Sequence, residues 1–182
     1  ATFYLGQVEE RAGHLAAAID WYVKAGAANR TEAQVRIAVI RAKQGDVARS
    51  REVIQQLRDQ SPEDAVTLYL VEGDILDEVG RRDAALDVYA AGLKAYPDNA
   101  DILYARALLA VKLDRIDLAE ADLRRVIAAD PDHADALNAL GYTLADRTDR
   151  YEEALALIER AYALKPEEPA ILDSMGWVHY RL

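Results

Sequence analysis

The stretch ADALNALGYTLADRTDRYEEALALIERAYALKP, residues 134–166, decides the fold of this chain. Leu137, Leu140 and Gly141 recur at helical spacing in its first half, which predicts one face of an amphipathic helix. A second apolar stripe follows a short polar turn, and Pro166 closes the stretch because proline cannot continue a helix. Two amphipathic helices joined by a short turn predict a helical hairpin.

Prolines and small residues recur at equivalent positions along the chain with a period of about 34 residues, which is typical of a repeat architecture. The closing prolines are separated by 35, 34 and 35 residues, and they are Pro62, Pro97, Pro131 and Pro166. A small residue marks the place in each first helix where its backbone must approach the second helix: Gly6, Ala38, Gly73, Ala107, Gly141 and Gly176. The predicted repeats are 1–30, 31–65, 66–99, 100–133 and 134–168, with a half repeat over 169–182.

These units resemble the tetratricopeptide repeat, and the resemblance covers the whole chain. It implies an all-α fold, a right-handed superhelix (α-solenoid) of helical hairpins, as a single array over 1–182. In such an array the core forms between neighbouring repeats. Gly13, Gly45 and Gly80 are predicted to end first helices in the left-handed conformation.

Composition narrows the class of partner. The formal net charge is −10, and the segment 66–168 carries 22 acidic against 12 basic residues. An acidic surface disfavours nucleic acid and anionic membranes, so we expect a protein or peptide partner, no nucleic acid and no direct membrane insertion by residues 1–182. The alternative, that the acidic residues only keep the surface solvated, stays open.

No catalytic motif is present. The phosphate-binding glycine loop, the HExxH zinc motif, the EF-hand loop and the G-x-S-x-G elbow are all missing. His14, His133 and His179 fall at unrelated positions of different repeats, and neighbouring acids point to different sides of a helix. We therefore expect no catalytic residues, no cofactor and no metal, and hence no enzyme.

The resemblance also implies a binding surface, because in this family the first helices of successive repeats line a concave groove. Carried over to this chain, the groove positions are Asp74, Asp77, Glu78, Asp101, Tyr104, Asp135, Asn138, Tyr142, Asp146, Trp177 and Tyr180. Family members that bind chaperone tails hold a terminal carboxylate with Lys and Asn. Here those slots carry Asp74, Leu108 and Tyr142, so a segment with Lys, Arg or apolar side chains suits the groove better. Alternatively, the tyrosines only pack against neighbouring helices.

Two runs are more particular than a generic repeat: 135–154 and 171–181. They resemble the repeat-rich outer-membrane lipoproteins of Gram-negative bacteria, above all the one that partners a periplasmic carboxyl-terminal processing protease. That resemblance implies a periplasmic adaptor that helps deliver cell-wall hydrolases to the protease, held at the outer membrane by a lipid outside 1–182. Residues 169–182 match only the front of a repeat, so we expect a piece of a longer array. Two alternatives remain open: a factor for another envelope assembly (pilus, secretin or polysaccharide export), or a regulatory repeat region of a larger enzyme.

Glu72 and Arg106 occupy the same slot in adjacent repeats, where a large apolar residue is usual. A charge buried alone costs several kcal/mol. We therefore predict that the two side chains form a partly buried ion pair with each other. The alternative is that Arg106 extends to solvent along its aliphatic stem.

Overall fold

The computed structural model describes all residues 1–182, which fold into helices joined by short turns, without a β-strand. The eleven α-helices are α1 (Thr2–Arg11), α2 (Leu15–Val23), α3 (Arg30–Lys43), α4 (Val47–Gln60), α5 (Ala65–Glu78), α6 (Arg82–Ala95), α7 (Ala100–Lys112), α8 (Ile116–Ala129), α9 (Ala134–Arg147), α10 (Tyr151–Leu164) and α11 (Pro169–Arg181). Short 3-10 turns at Ala27–Asn29 and Pro62–Asp64 precede α3 and α5. The predicted all-α class is confirmed. None of the helices combines the length and the apolar character that crossing a bilayer requires.

The helices form two compact units, residues 1–88 and 89–182. In the first unit α1 packs on α2 and α3 packs on α4, and α2–α3 and α4–α5 contacts join the hairpins. The second unit repeats this order, with α7 on α8, α9 on α10, and α8–α9 and α10–α11 contacts between hairpins. Within each unit the helical hairpins therefore pack in chain order, as predicted. The single array over 1–182 stays a prediction.

Proline positions set the ends of the second helices. The helices α4, α6, α8 and α10 each stop two residues before a proline, at Gln60, Ala95, Ala129 and Leu164. The residue before proline is disfavoured in the α conformation, and the proline itself has no N–H to donate. Two of the helices that follow, α7 and α9, start on a side-chain cap, since Asn99 Oδ1 accepts from the Ile102 N–H at 3.0 Å and His133 Nδ1 accepts from the Ala136 N–H at 3.1 Å.

The turns inside the hairpins use left-handed backbone where the sequence predicted it. Gly13, Gly45 and Gly80 have φ values of 80°, 90° and 76°. The α7–α8 turn has no glycine, and Asp114 adopts the left-handed conformation there with φ of 58°. Aspartate tolerates this conformation better than most residues, because its short side chain can hydrogen-bond locally.

The small residues of the first helices allow the paired helices to approach closely. A Cβ added at Gly141 would lie 2.6 Å from Ile158 Cγ1 and 2.9 Å from the backbone oxygen of Ala154 on α10. At Gly6 the same atom would meet the ring of Tyr22 at 2.6 Å. At Gly176, which occupies the same slot in α11, no heavy atom lies within 4 Å.

This difference gives opposite predictions for one substitution at two equivalent sites. Gly141→Ala should lower the free energy of unfolding by about 1–3 kcal/mol, because the added methyl overpacks the α9–α10 contact. Gly176→Ala should raise it by up to about 1 kcal/mol, because alanine favours a helix and meets open space. Urea unfolding followed by circular dichroism measures both. Equal effects of the two substitutions would contradict this explanation of the recurring small residue.

Glu72, which is buried, and Arg106, whose side chain is 16% exposed, each have their own partner in their own unit. Glu72 on α5 is 3% exposed and accepts from Arg51 Nε at 2.8 Å and Arg58 Nη1 at 2.5 Å, both on α4. Arg106 on α7 binds Asp122 on α8 in a bidentate manner, with Nε–Oδ2 of 2.7 Å and Nη2–Oδ1 of 2.8 Å. The predicted Glu72–Arg106 pair is therefore wrong. Glu72 is neutralised by arginines of α4, the second helix of the preceding hairpin. Arg106 is neutralised by an aspartate of α8, the second helix of its own hairpin.

Removing one partner of the Arg106–Asp122 pair should cost more than removing both. Asp122→Ala should lower the free energy of unfolding by about 3–5 kcal/mol, because it leaves the mostly buried Arg106 guanidinium without its carboxylate partner. The double variant Arg106→Met with Asp122→Leu should lie within about 1 kcal/mol of the parent, since two apolar side chains of similar volume replace the pair. Thermal unfolding of both variants tests this order. A double variant that is less stable than Asp122→Ala would contradict it.

Candidate functional site

An open groove runs along the first helices of the second unit, α7, α9 and α11. Its first cavity has a volume of about 360 Å³. The residues that line this cavity are Tyr104, Leu108, Asp135, Asn138, Ala139, Tyr142, Glu168, Ala170, Ile171, Asp173 and Ser174. Three helices thus contribute side chains to one concave surface.

A second cavity of about 310 Å³ continues the first. It is lined by Tyr142, Leu172, Asp173, Gly176, Trp177 and Tyr180. Tyr142 and Asp173 line both cavities, so the two form one continuous surface. We call the residues that line either cavity the inner groove.

Six of the eight groove positions predicted in the second unit line the inner groove: Tyr104, Asp135, Asn138, Tyr142, Trp177 and Tyr180. The other two do not line either cavity. Asp101 is exposed near the start of α7, and Asp146 binds Arg147 Nε at 2.7 Å near the end of α9. The structure thus brings most of these side chains together. Their role in binding a protein stays a prediction.

The three positions predicted in the first unit all lie on α5. Asp77 accepts a hydrogen bond from Arg82 Nε at 2.9 Å, and Glu78 forms an ion pair with Lys43 Nζ at 2.8 Å. Asp74 is exposed on the same helix. Since arginine or lysine already neutralises Asp77 and Glu78, this surface offers a partner less free charge than the sequence suggested.

Tyr104, Asp135 and Lys165 form a small polar cluster at one end of the inner groove. Lys165 Nζ lies 2.9 Å from Asp135 Oδ1 and 3.0 Å from Oδ2. The hydrogen bond to Asp135 raises the pKa of Lys165. Burial, and then the charge of Asp135, raise the pKa of the Tyr104 phenol. Lys165 therefore stays protonated and Tyr104 stays neutral at physiological pH.

Two polar atoms of the inner groove have no hydrogen-bond partner although water does not reach them: Asn138 Oδ1 and Trp177 Nε1. A buried polar atom left without a partner costs about 1–3 kcal/mol. One of these atoms is an acceptor and the other is a donor, which matches the N–H and C=O that a peptide backbone offers. Both atoms belong to side chains that line the inner groove.

The aromatic end of the groove is ordered by contacts within α11 and by contacts between α11 and Tyr151 on α10. The rings of Trp177 and Tyr180 stack with centroids 5.6 Å apart. Arg181 lies 5.0 Å from the Tyr151 ring centroid, 5.7 Å from that of Trp177, and donates a hydrogen bond of 2.7 Å to Tyr151 Oη. Tyr180 nevertheless remains 79% exposed, so it presents aromatic surface to solvent.

Sequence reasoning did not select Glu168 and Gly176 as groove residues. Glu168 is the residue that precedes α11, and it lines the first cavity from outside the helix. Gly176 lines the second cavity because its missing side chain leaves space there. The Glu-Pro step at 168–169 marks the start of α11, so the sequence places Glu168 at a helix N-terminus but does not show where its side chain lies.

The groove offers aromatic area, carboxylates and two unsatisfied hydrogen-bonding atoms. No group of three or more His, Asp or Glu side chains is arranged to hold a metal ion. Such a surface suits an extended or helical peptide segment, because tyrosine and tryptophan give large contact area at low entropic cost.

The sequence matches a family model that agrees with this geometry. Models of the tetratricopeptide repeat match residues 70–113, 104–169 and 32–64. The chain belongs to the tetratricopeptide repeat family. It is 44% identical over 182 residues to the TPR repeat-containing protein PA4667 of Pseudomonas aeruginosa. That match covers 100% of this chain and 31% of the relative, so the chain spans about a third of the relative's length.

Solved tetratricopeptide structures show the same fold. A tetratricopeptide repeat protein from Parabacteroides merdae aligns with a TM-score of 0.68 at 19% identity, covering 83% of this chain and 59% of that one. YrrB, described as a TPR protein with an unusual peptide-binding site, aligns with 0.63 at 18% identity over 96% and 90% of the two chains. The first TPR of Spaghetti (RPAP3), bound to the HSP90 peptide SRMEEVD, aligns with 0.59 at 23% identity over 63% and 90%.

The unsatisfied Asn138 atom gives a prediction about the free protein. Asn138→Leu should raise the free energy of unfolding by about 1 kcal/mol, because it removes a buried acceptor that lacks a partner. The same substitution should weaken binding of a partner in the groove. Urea unfolding of the free protein measures the first effect. A loss of stability of about 1 kcal/mol or more would show that the side chain is needed for packing and would contradict the interpretation.

Proposed function

We propose that the inner groove of the second unit binds a segment of another protein, and that the chain acts as a non-catalytic scaffold. Tetratricopeptide repeats imply a protein-interaction scaffold. The observation that carries the proposal for this surface is the pairing of exposed aromatic side chains with unsatisfied polar atoms in one groove. Tyr142 is 37% and Tyr180 is 79% exposed, next to the buried Asn138 Oδ1 and Trp177 Nε1.

The fold neighbours agree with a groove of this kind. One of them was solved with a chaperone peptide bound, and another is described by its peptide-binding site. At 23% and 18% identity these likenesses concern the fold. The ligand of this chain therefore has to be derived from its own side chains.

The finer proposal is that the protein is an adaptor of the bacterial envelope. In it, the chain assembles with a periplasmic carboxyl-terminal processing protease and helps deliver cell-wall hydrolases to it, while a lipid outside 1–182 anchors the protein at the outer membrane. Two observations support this: the runs 135–154 and 171–181 resemble lipoproteins of this type, and the whole chain is 44% identical to a Pseudomonas aeruginosa TPR protein.

A matched pair of tyrosines tests the groove. Tyr142 in the inner groove is 37% exposed, and Tyr162 on α10 is 41% exposed and does not line the groove. Tyr142→Ala in the full-length protein should reduce capture of the processing protease or of its hydrolase substrate at least tenfold, as expected for an aromatic residue at the centre of an interface. Tyr162→Ala should leave capture unchanged. Affinity pull-down from the periplasm, with quantitative mass spectrometry, measures both.

The outcomes separate the two levels of the proposal. Capture of other envelope proteins in place of the protease, still lost in Tyr142→Ala, would contradict the adaptor role and keep the groove. Equal capture by wild type, Tyr142→Ala and Tyr162→Ala would contradict the groove itself. A change in unfolding midpoint of Tyr142→Ala similar to that of Tyr162→Ala serves as the control for folding.

A further inference from the structure

The carboxylates of the second unit divide into neutralised and free groups. Away from the groove, Glu120 and Glu153 share Arg124 and Arg150 at 2.6–2.8 Å, and these hydrogen bonds lower the pKa of both carboxyls. Further Arg–Asp pairs are Arg125–Asp98, Arg147–Asp114 and Arg106–Asp122. In the inner groove, by contrast, Glu168 and Asp173 form no ion pair with arginine, although the hydrogen bond to Asp135 and, less strongly, the charge of Glu168 contribute to the raised pKa of Lys165. The groove thus keeps negative charge that arginine cancels at other carboxylates of the unit.

Cations are missing from the groove wall. Neither cavity is lined by a lysine or an arginine. Lys165 is held at Asp135, and Arg181 is held at Tyr151. A peptide that ends in a free or acidic carboxylate would meet Glu168 and Asp173, while the nearby Lys165 is already bound to Asp135. Like charges in contact disfavour binding.

The groove places apolar surface beside these carboxylates. Leu108, Tyr142 and the buried Ile171 line the first cavity together with Asp173. The aromatic rings at 177 and 180 line the second cavity, and Asp173 lies at the junction of the two. The ammonium of lysine or the guanidinium of arginine can contact an aromatic face and bind a carboxylate at the same time.

From this arrangement we infer that the inner groove selects a segment that carries Lys or Arg beside a large apolar side chain, and that Asp173 and Glu168 bind the cationic group of that segment. The inference rests on the proposed function of the groove and names the chemistry of its partner. Backbone hydrogen bonds from the segment would use Asn138 and Trp177.

Lys165 competes with a cationic ligand for one carboxylate of the groove. It occupies Asp135, whose carboxylate lines the same cavity, at 2.9 Å. Both side chains are about half exposed, so water and ligands reach the pair. A cationic ligand therefore meets two free carboxylates in the wild-type groove, and would meet three if Lys165 lost its charge.

The test uses two peptides that differ only in charge. The fluorescent, amidated peptides Lys-Leu-Ala-Lys-Leu-Ala-Lys and Glu-Leu-Ala-Glu-Leu-Ala-Glu are titrated with the full-length protein, and binding is followed by fluorescence anisotropy at low and physiological salt. The cationic peptide should bind at least tenfold more tightly. Since a protein of net charge −10 attracts any cation, substitutions have to locate the binding.

Four variants locate it. Asp173→Asn and Glu168→Gln should each weaken binding of the cationic peptide about two- to fivefold, the range for exposed ion pairs. Lys165→Met should strengthen it by a similar factor, because Asp135 becomes free. Glu159→Gln on α10 makes the same charge change outside the groove and should have no effect beyond that of net charge.

The inference is overturned if the anionic peptide binds as tightly, if neither peptide binds, or if Glu159→Gln weakens binding as much as Asp173→Asn. It is also overturned if Lys165→Met weakens binding. None of these results touches the proposed function, which is tested separately by partner capture with Tyr142→Ala and Tyr162→Ala.

Discussion

The close approach of two helix backbones at a single small residue underlies this structure. At Gly141 the α9 backbone lies so near α10 that a methyl group would meet both Ile158 and the Ala154 carbonyl. This contact fixes the angle and spacing of one hairpin, and Gly6 makes the corresponding contact in the first hairpin. With each hairpin closed on one face, the opposite faces of the first helices stay available, and in the second unit those faces form the inner groove.

The spacing of prolines and small residues predicted most of the architecture, because these residues act through local backbone chemistry. Helix ends before Pro97 and Pro131, and the left-handed turns at Gly45 and Gly80, follow from rules that involve only a few neighbouring residues. The turn at Asp114 was not predicted, since an aspartate in a left-handed conformation has no distinctive sequence signal.

The ion pairs show where sequence reasoning fails. Glu72 and Arg106 share a repeat slot, which suggested that they meet, yet each binds a side chain from a second helix. A repeat pattern gives a residue's position along a helix, but the partner of a charge depends on which long side chains can reach it. For the same reason the sequence selected Tyr104, Asn138 and Tyr142 for the groove, but could not show that Lys165 already occupies Asp135.

Charge neutralisation connects the fold to the proposed role. The buried carboxylates Glu72 and Asp122 bind arginine, and so do several outer carboxylates such as Glu120 and Glu153, which offsets part of the negative charge. Glu168 and Asp173 have no arginine partner and lie in the groove near aromatic side chains. Their charges cost little while water solvates them, and they are available to bind a cationic ligand. The packing of the helices and the proposed ligand preference therefore both depend on carboxylates. They differ in whether a neighbouring helix supplies an arginine that binds the carboxylate.

Hydrogen–deuterium exchange of the full-length protein, with and without the processing protease, tests the central claim most directly. The account predicts slower exchange in α7, α9 and α11 when the partner binds, because their inner faces line the groove. Exchange in α8 and the outer part of α10 should change much less. Slower exchange confined to α8 and α10 would show that the partner binds another face and would contradict the account.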